Sequence, residues 1–219
     1  MLKYLILALF ACVATVQLVG NWIRKRILCG ITKPMLVSLL LLYYLAGVAP
    51  GPDAIFVCAL AASWLGDVLL MFKGIGWFIA GGISFASAHV LLVITFARHA
   101  TAVPAAVVVL LGLIYLAATG FVIFFIRNEA PKPLILPMGL YLLCNGVMNL
   151  FVLIWLLSAP GPGTALTYAG AVLFFVSDCV LIRVRFRRGD PWRIDQNFII
   201  MTTYTLGMYL ITQGVLLTG

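Results

Sequence analysis

Two aspartates, Asp67 and Asp178, are the residues most able to do chemistry in a chain that otherwise keeps its charges out of its apolar runs. Each stands inside such a run, in Gly66-Asp67-Val68-Leu69-Leu70-Met71 and in Ser177-Asp178-Cys179-Val180-Leu181-Ile182. The other acids, Asp53, Glu129, Asp190 and Asp195, sit among turn residues. A charged side chain at the middle of a membrane-spanning helix costs about 2.5–3.5 kcal/mol, so it normally faces a bundle interior or a wet cavity. Asp67 precedes Lys73 by six residues and Asp178 precedes Arg183 by five. At 1.5 Å per residue, both carboxyls are expected roughly 8–9 Å from the same end of the bundle. Two carboxyls at one level can share a site in which one is protonated and the other ionised, the arrangement that general acid–base chemistry uses. The structural alternative is that each Asp caps neighbouring hydroxyls or pairs with Lys33 to hold helices together. Ser63, one helical turn before Asp67, is such a partner.

Further polar residues fall at helical spacing. Tyr141, Asn145 and Asn149 recur at i, i+4 and i+8, and so do Thr205, Tyr209 and Gln213, so each set forms a stripe on one face of its helix. The stripes read either as interhelical hydrogen-bonding glue or as the walls of a polar cavity. His89 lies inside an apolar run and is either a packed hydrogen-bonding residue or part of that cavity. The only other histidine, His99, lies in a loop, and no carboxylate stands at ligand spacing from either, which argues against a zinc site. The five cysteines (Cys12, Cys29, Cys58, Cys144, Cys179) show neither pairing nor metal spacing and read as packing residues. A nucleophile elbow, a Walker loop and an H-E-x-x-H pair are all absent from the sequence, so nothing supports a serine hydrolase, a nucleotide-driven pump or a metalloprotease. No cofactor is expected.

The elements that must position these residues are transmembrane helices. Of the 219 residues, 64% are hydrophobic and 9% charged. A soluble domain carries about 25% charged residues. Spans of about 20 apolar residues are expected near 2–20, 34–49, 54–72, 75–96, 102–126, 134–157, 164–182 and 197–217, as one all-α transmembrane domain covering residues 1–219. Pro50-Gly51-Pro52-Asp53, Lys73-Gly74, Arg98-His99, the segment from Arg127 to Pro133 and Pro160-Gly161-Pro162-Gly163 separate them. The first run follows Lys3 as a signal peptide would. It is long enough to span and has no A-x-A-like cleavage site, so it reads as the first helix.

The net charge of +8 is then a matter of loops, not of nucleic-acid binding. Arg24, Lys25, Arg26, Lys33, Lys73, Arg127, Lys132, Arg183, Arg185, Arg187, Arg188 and Arg193 fall on one side, and Lys3 and Arg98 on the other. This bias places the basic side in the cytosol and both termini outside it. Minimal loops favour a bacterial inner membrane over the endoplasmic reticulum. Lys33-Pro34 and Lys132-Pro133, like Asp67 and Asp178, recur four helices apart, which suggests a tandem four-plus-four duplication with parallel halves.

The motifs taken together resemble the YhhN family, that of the lysoplasmalogenases, which includes the animal transmembrane 86 proteins. The resemblance rests on Lys33-Pro34, on Ser63-x-x-Gly66-Asp67-x-Leu69-Leu70-Met71, on Phe85 with His89, on Gly170-Ala171-x-x-Phe174-x-x-Ser177-Asp178, and on Tyr209 with Gln213. It covers about residues 30 to 214, and Leu91 and Leu92 stand where the family often has tyrosines. The resemblance implies hydrolysis of the vinyl ether bond of a lysophospholipid, giving a fatty aldehyde and glycerophosphoethanolamine or glycerophosphocholine, with membrane lipids as the other partners. It implies Asp67 and Asp178 as the catalytic pair, one as acid and the other as anionic partner. Ser63, His89, Tyr141, Asn145, Ser177, Tyr209 and Gln213 would line the substrate, with His89, Asn145 and Gln213 orienting water or glycerol oxygens. Lys33 would hold the phosphate, and the apolar tail would lie between helices, open to the inner leaflet. The reading from another class is a transporter or lipid-binding carrier with a polar intramembrane cavity.

Overall fold

In lipid every backbone polar group must be satisfied within the chain, so long apolar runs fold as helices. The computed structural model describes residues 1–48, 51–100, 103–128, 130–186 and 194–218, the side chains of 186, 194 and 195 excepted. Among these residues it has eight helices and no strand: α1 (Leu2–Trp22), α2 (Arg26–Gly47), α3 (Ala54–Leu69), α4 (Ile75–Ala97), α5 (Ala105–Ile126), α6 (Lys132–Ser158), α7 (Pro162–Phe186) and α8 (Ile194–Thr218). Seven are long and apolar enough to cross a membrane. The eighth, α3, has 16 residues, about 24 Å of rise, short of a hydrocarbon core of about 30 Å. The Asp53 carboxylate caps its start by accepting from the Ile55 N–H at 2.8 Å. In the turn that leads into α4, Gly74 takes φ +124°, a backbone conformation that favours glycine.

Each helix packs on the next in the hairpins α1/α2, α3/α4, α5/α6 and α7/α8, with α2/α3 and α6/α7 also in contact. Contacts of α8 with α1 and α2, and of α4 with α6, close the bundle. The main core is built from residues such as Leu36, Phe56, Phe96, Val152, Phe174 and Met208, contributed by α2, α3, α4, α6, α7 and α8. α5 stands outside this ring. It leans on α6, touches α7, and buries only Thr119 and Ile126. The two halves of the chain thus use the same hairpins, but α1 reaches α8 while α5 makes no contact with α4.

α7 and α8 approach closely because glycines face each other. A Cβ on Gly170 would stand 2.6 Å from the Gly207 carbonyl oxygen, and one on Gly207 would stand 2.8 Å from the Gly170 carbonyl. Gly163 and Gly214 meet in the same way farther along. Small residues of this kind let two backbones touch in a membrane, where packing rather than the hydrophobic effect drives helix association. The α7/α8 hairpin carries Asp178 on one arm and Tyr204 on the other.

The expected helices are all present, with shifted ends. α2 begins at Arg26, so Lys33-Pro34 lies inside it rather than opening it. Lys132-Pro133 does open α6, where a proline costs nothing because the first N–H groups have no partner within the helix. α3 stops at Leu69 instead of running to residue 72, and α7 runs on to Phe186. Asp195, expected in a loop, falls in the first turn of α8. Pro50, Glu129, Arg187, Arg188, Asp190 and Arg193 lie outside the described residues. The charges sort by end. Arg185 lies 5.2 Å over the Phe78 ring at the start of α4. Arg98 stands 3.8 Å from Asp53 at the opposite end.

Candidate active site

The two aspartates are buried at different places along their helices. Asp67 is two residues from the end of α3, whereas Asp178 is eight from the end of α7. The carboxyls come within electrostatic reach of each other. Asp67 is 1% exposed and Asp178 4%. A carboxyl so placed needs partners, because an unsatisfied buried charge is costly.

Their partners differ in kind. Asp67 accepts a hydrogen bond from the Tyr204 hydroxyl at 2.6 Å through Oδ2. Its Oδ1 lies 3.4 Å from Lys33 Nζ. Lys33 reaches it because it sits within α2 and not in the preceding loop. The adjoining turn of α2 is tied down by the Thr32 hydroxyl, which donates to Gln17 of α1. Asp178 has neutral partners. Its Oδ2 accepts from the Tyr141 hydroxyl at 2.6 Å and from Asn145 Nδ2 at 2.7 Å. Asn145 is itself oriented by Asn149, whose Nδ2 donates to Asn145 Oδ1 at 2.9 Å. Among the described residues no lysine or arginine stands within ion-pair distance of Asp178. Its only basic neighbour is His89, with Nε2 3.8 Å from Oδ2, beyond hydrogen-bond length.

An aromatic partition joins the two carboxyl sites. The His89 ring lies 5.4 Å from Tyr141 and 5.0 Å from Phe174. Phe174 lies 5.4 Å from Tyr204, and Phe85 contacts both Phe174 and Tyr204. Gly66 gives Phe85 its place, since a Cβ there would meet the ring at 2.5 Å. His89 is fully buried, and neither ring nitrogen has a hydrogen-bond partner among the described residues.

On the side of Asp178 facing the basic end, a cavity of about 330 Å³ opens between α4, α6 and α7. Its walls are apolar, and Tyr141 and Cys144 are the residues in them that carry a polar hydrogen. Tyr141 thus lines the cavity with its ring and holds Asp178 with its hydroxyl. Among the described residues no three His, Cys, Asp or Glu converge as a metal site would require.

Of the residues singled out in the sequence, the structure gathers Lys33 at Asp67, and His89, Tyr141 and Asn145 at Asp178. Others point elsewhere. The Ser63 hydroxyl donates to the Ala59 carbonyl rather than to Asp67. The Ser177 hydroxyl donates to the Ile200 carbonyl and ties α7 to α8. Gln213 accepts from the Tyr43 hydroxyl at 2.6 Å, and Tyr209 stacks on Phe10. Gln213 is nine residues beyond Tyr204, about 13 Å along α8, so neither it nor Tyr209 joins the carboxyls. The residue of α8 that does so is Tyr204, and its stripe is Tyr204, Met208 and Ile211, all buried. The available signal was the spacing of Tyr204 to buried apolar residues. The polar stripe through Thr205 drew attention to the adjacent face.

The profile of the YhhN family matches residues 28–215, nearly the whole chain, and the protein belongs to that family. No curated protein and no solved structure matches the chain.

Proposed function

We propose that this protein is a lysoplasmalogenase, hydrolysing the vinyl ether bond of 1-alkenyl-lysophospholipids to a fatty aldehyde and a glycerophosphodiester. Membership of the YhhN family agrees with this reading. The observation that carries it is the inequivalence of the two buried carboxyls. One is matched by a cation, and the other is held only by neutral donors beside an apolar cavity.

Vinyl ether hydrolysis begins with proton transfer to the alkene carbon remote from oxygen, which leaves an oxocarbenium ion. Water adds to the carbon bearing the ether oxygen and loses a proton. The hemiacetal collapses to the aldehyde and the free glycerol hydroxyl. The proton donated first is replaced by the one that water gives up. The reaction asks for a placed acid and for negative charge facing the developing cation. Asp178, with no cation beside it, suits the acid. Its Oδ2 is occupied by two donors, which leaves Oδ1 to carry and deliver the proton. Asp67, which faces the Lys33 ammonium and the Tyr204 hydroxyl, suits the stabilising partner. Lys33 is committed to Asp67 in this arrangement and is not needed for phosphate. In a bacterial inner membrane, with the basic end in the cytosol, the site would open to the inner leaflet.

The test is aldehyde release by the detergent-purified protein from 1-alkenyl-lysophosphoethanolamine, beside the acyl lysophospholipid. Aldehyde from the alkenyl lipid alone is expected. Asp67→Asn and Asp178→Asn should each abolish it in protein that remains folded, and full activity in either variant would remove that residue from the mechanism. Silence of the folded wild type on both lipids would favour a carrier, the function class that shares its polar interior.

A further inference from the structure

The cavity near Asp178 has apolar walls, with Tyr141 and Cys144 as its polar side chains, and one wall with an opening already cut into it. On α4, Gly82 and Ala86 face it one helical turn apart. A Cβ on Gly82 would meet no atom within 4 Å. Its neighbour Gly81 differs, since a Cβ there would lie 2.7 Å from Leu70. Gly81 therefore serves helix packing, whereas Gly82 serves empty space. On α6, Pro137, Tyr141 and Cys144 form the facing wall. Pro137 has no N–H to give to the helix.

The geometry points to this cavity as the binding site for the single hydrocarbon chain of the lipid substrate, with the bare backbone at Gly82 setting the width of the channel. The inference deepens the lysoplasmalogenase reading and rests on it for the identity of the lipid. Three observations carry the occupant. The lining is apolar, so it accepts a hydrocarbon chain by packing and would leave a headgroup without hydrogen-bond partners. Tyr141 belongs to both the cavity wall and the Asp178 hydrogen bonds, so a chain lying here ends against the side chain that holds the carboxyl. At about 30 Å³ for a water-sized group, 330 Å³ takes roughly eleven carbons of a single chain.

Two measurements test it. The first compares kcat/KM for an alkenyl-lysolipid with a long chain and for one with a four-carbon chain, in wild type and in Gly82→Leu. The long-to-short ratio should fall at least about tenfold in the variant, equal to about 1.4 kcal/mol of chain packing. An unchanged ratio overturns the inference. The second needs no turnover. In wild type, alkylation of Cys144 by a small maleimide, read by mass spectrometry of its peptide, should be slowed by a long-chain lysolipid and not by glycerophosphoethanolamine. Equal rates with and without the chain overturn the inference. If aldehyde release is absent but Cys144 is protected, the vinyl ether reading fails and the chain site stands.

Discussion

Lys33 Nζ stands 3.4 Å from Asp67 Oδ1, and the Asp67 side chain is almost wholly buried while the Lys33 side chain is about a fifth exposed. A pair of this kind is weak evidence for net stability, but removing one partner leaves an uncompensated charge and costs about 3–5 kcal/mol. Lys33→Met should therefore lower the thermal midpoint in detergent by several degrees. Lys33→Met combined with Asp67→Leu, which replaces both charges with apolar groups, should recover most of that loss and still lack activity. A single variant as stable as wild type would show that the pair does not hold α2 to α3.

Tyr141 and Tyr204 each give one hydrogen bond of 2.6 Å to a carboxyl, and each hydroxyl has a separate consequence. A hydrogen bond to a charged group contributes about 1.5–3 kcal/mol, equivalent to roughly ten- to a hundredfold in rate when it acts in the transition state. Tyr204→Phe removes one of the two partners of Asp67 and should lower kcat by about that factor with KM little changed. Tyr141→Phe loosens Asp178 and also changes the cavity wall, so kcat and KM should both move. Equal kcat and KM effects in the two variants would mean that Tyr141 does not belong to both regions.

The two sites were legible in the sequence to different degrees, and for physical reasons. Asp67 and Asp178 stand out because insertion of a charge into lipid is costly, and no other described span has a carboxylate beyond its first turn. The helix count followed from apolar run length and from the one-sided distribution of Lys and Arg. Lys33 was legible as a residue but misplaced as a loop charge, because Lys-Pro normally opens a helix. In α2 the proline is interior, and this puts Lys33 beside Asp67. Ser63 and Ser177 show the limit of spacing arguments. A serine inside a helix can donate back to the carbonyl four residues earlier, as Ser63 does, or across to a neighbouring backbone, as Ser177 does. Tyr204 was missed because a tyrosine among apolar residues reads as core until its hydroxyl is placed. The cavity was invisible, since its walls come from residues of α4, α6 and α7 that are far apart in the sequence.

The contact of Gly170 with Gly207 predicts a sharp size limit on the α7/α8 seam. Gly170→Ala places a methyl group where a Cβ would lie 2.6 Å from a backbone oxygen, and backbone cannot rotate away as a side chain can. Overpacking of this kind costs about 1–3 kcal/mol. Because α7 carries Asp178 and α8 carries Tyr204, activity should fall as well as stability. Gly120→Ala is the control, since a Cβ there meets nothing within 4 Å, and helix propensity alone favours alanine by about 1 kcal/mol. Both variants unfolding at the wild-type midpoint would show that the seam is looser than the geometry states.

His89 offers the cleanest separation of packing from chemistry. Its ring is fully buried between Tyr141 and Phe174, and neither nitrogen has a hydrogen-bond partner among the described residues. A histidine kept only for packing is replaceable by a ring of similar size, and relieving two unpartnered nitrogens should leave stability equal or higher. His89→Phe is thus expected to unfold at or above the wild-type midpoint. If the ring also holds the hydrolytic water near Asp178, whose Oδ2 is 3.8 Å from Nε2, the same variant should lose at least about tenfold in kcat, with binding of the lipid chain unchanged by Cys144 protection. His89→Gln, which retains a polar atom able to hold water, should recover part of the rate. A stable His89→Phe enzyme with wild-type kcat would assign the residue to packing alone and leave Asp67 to activate water.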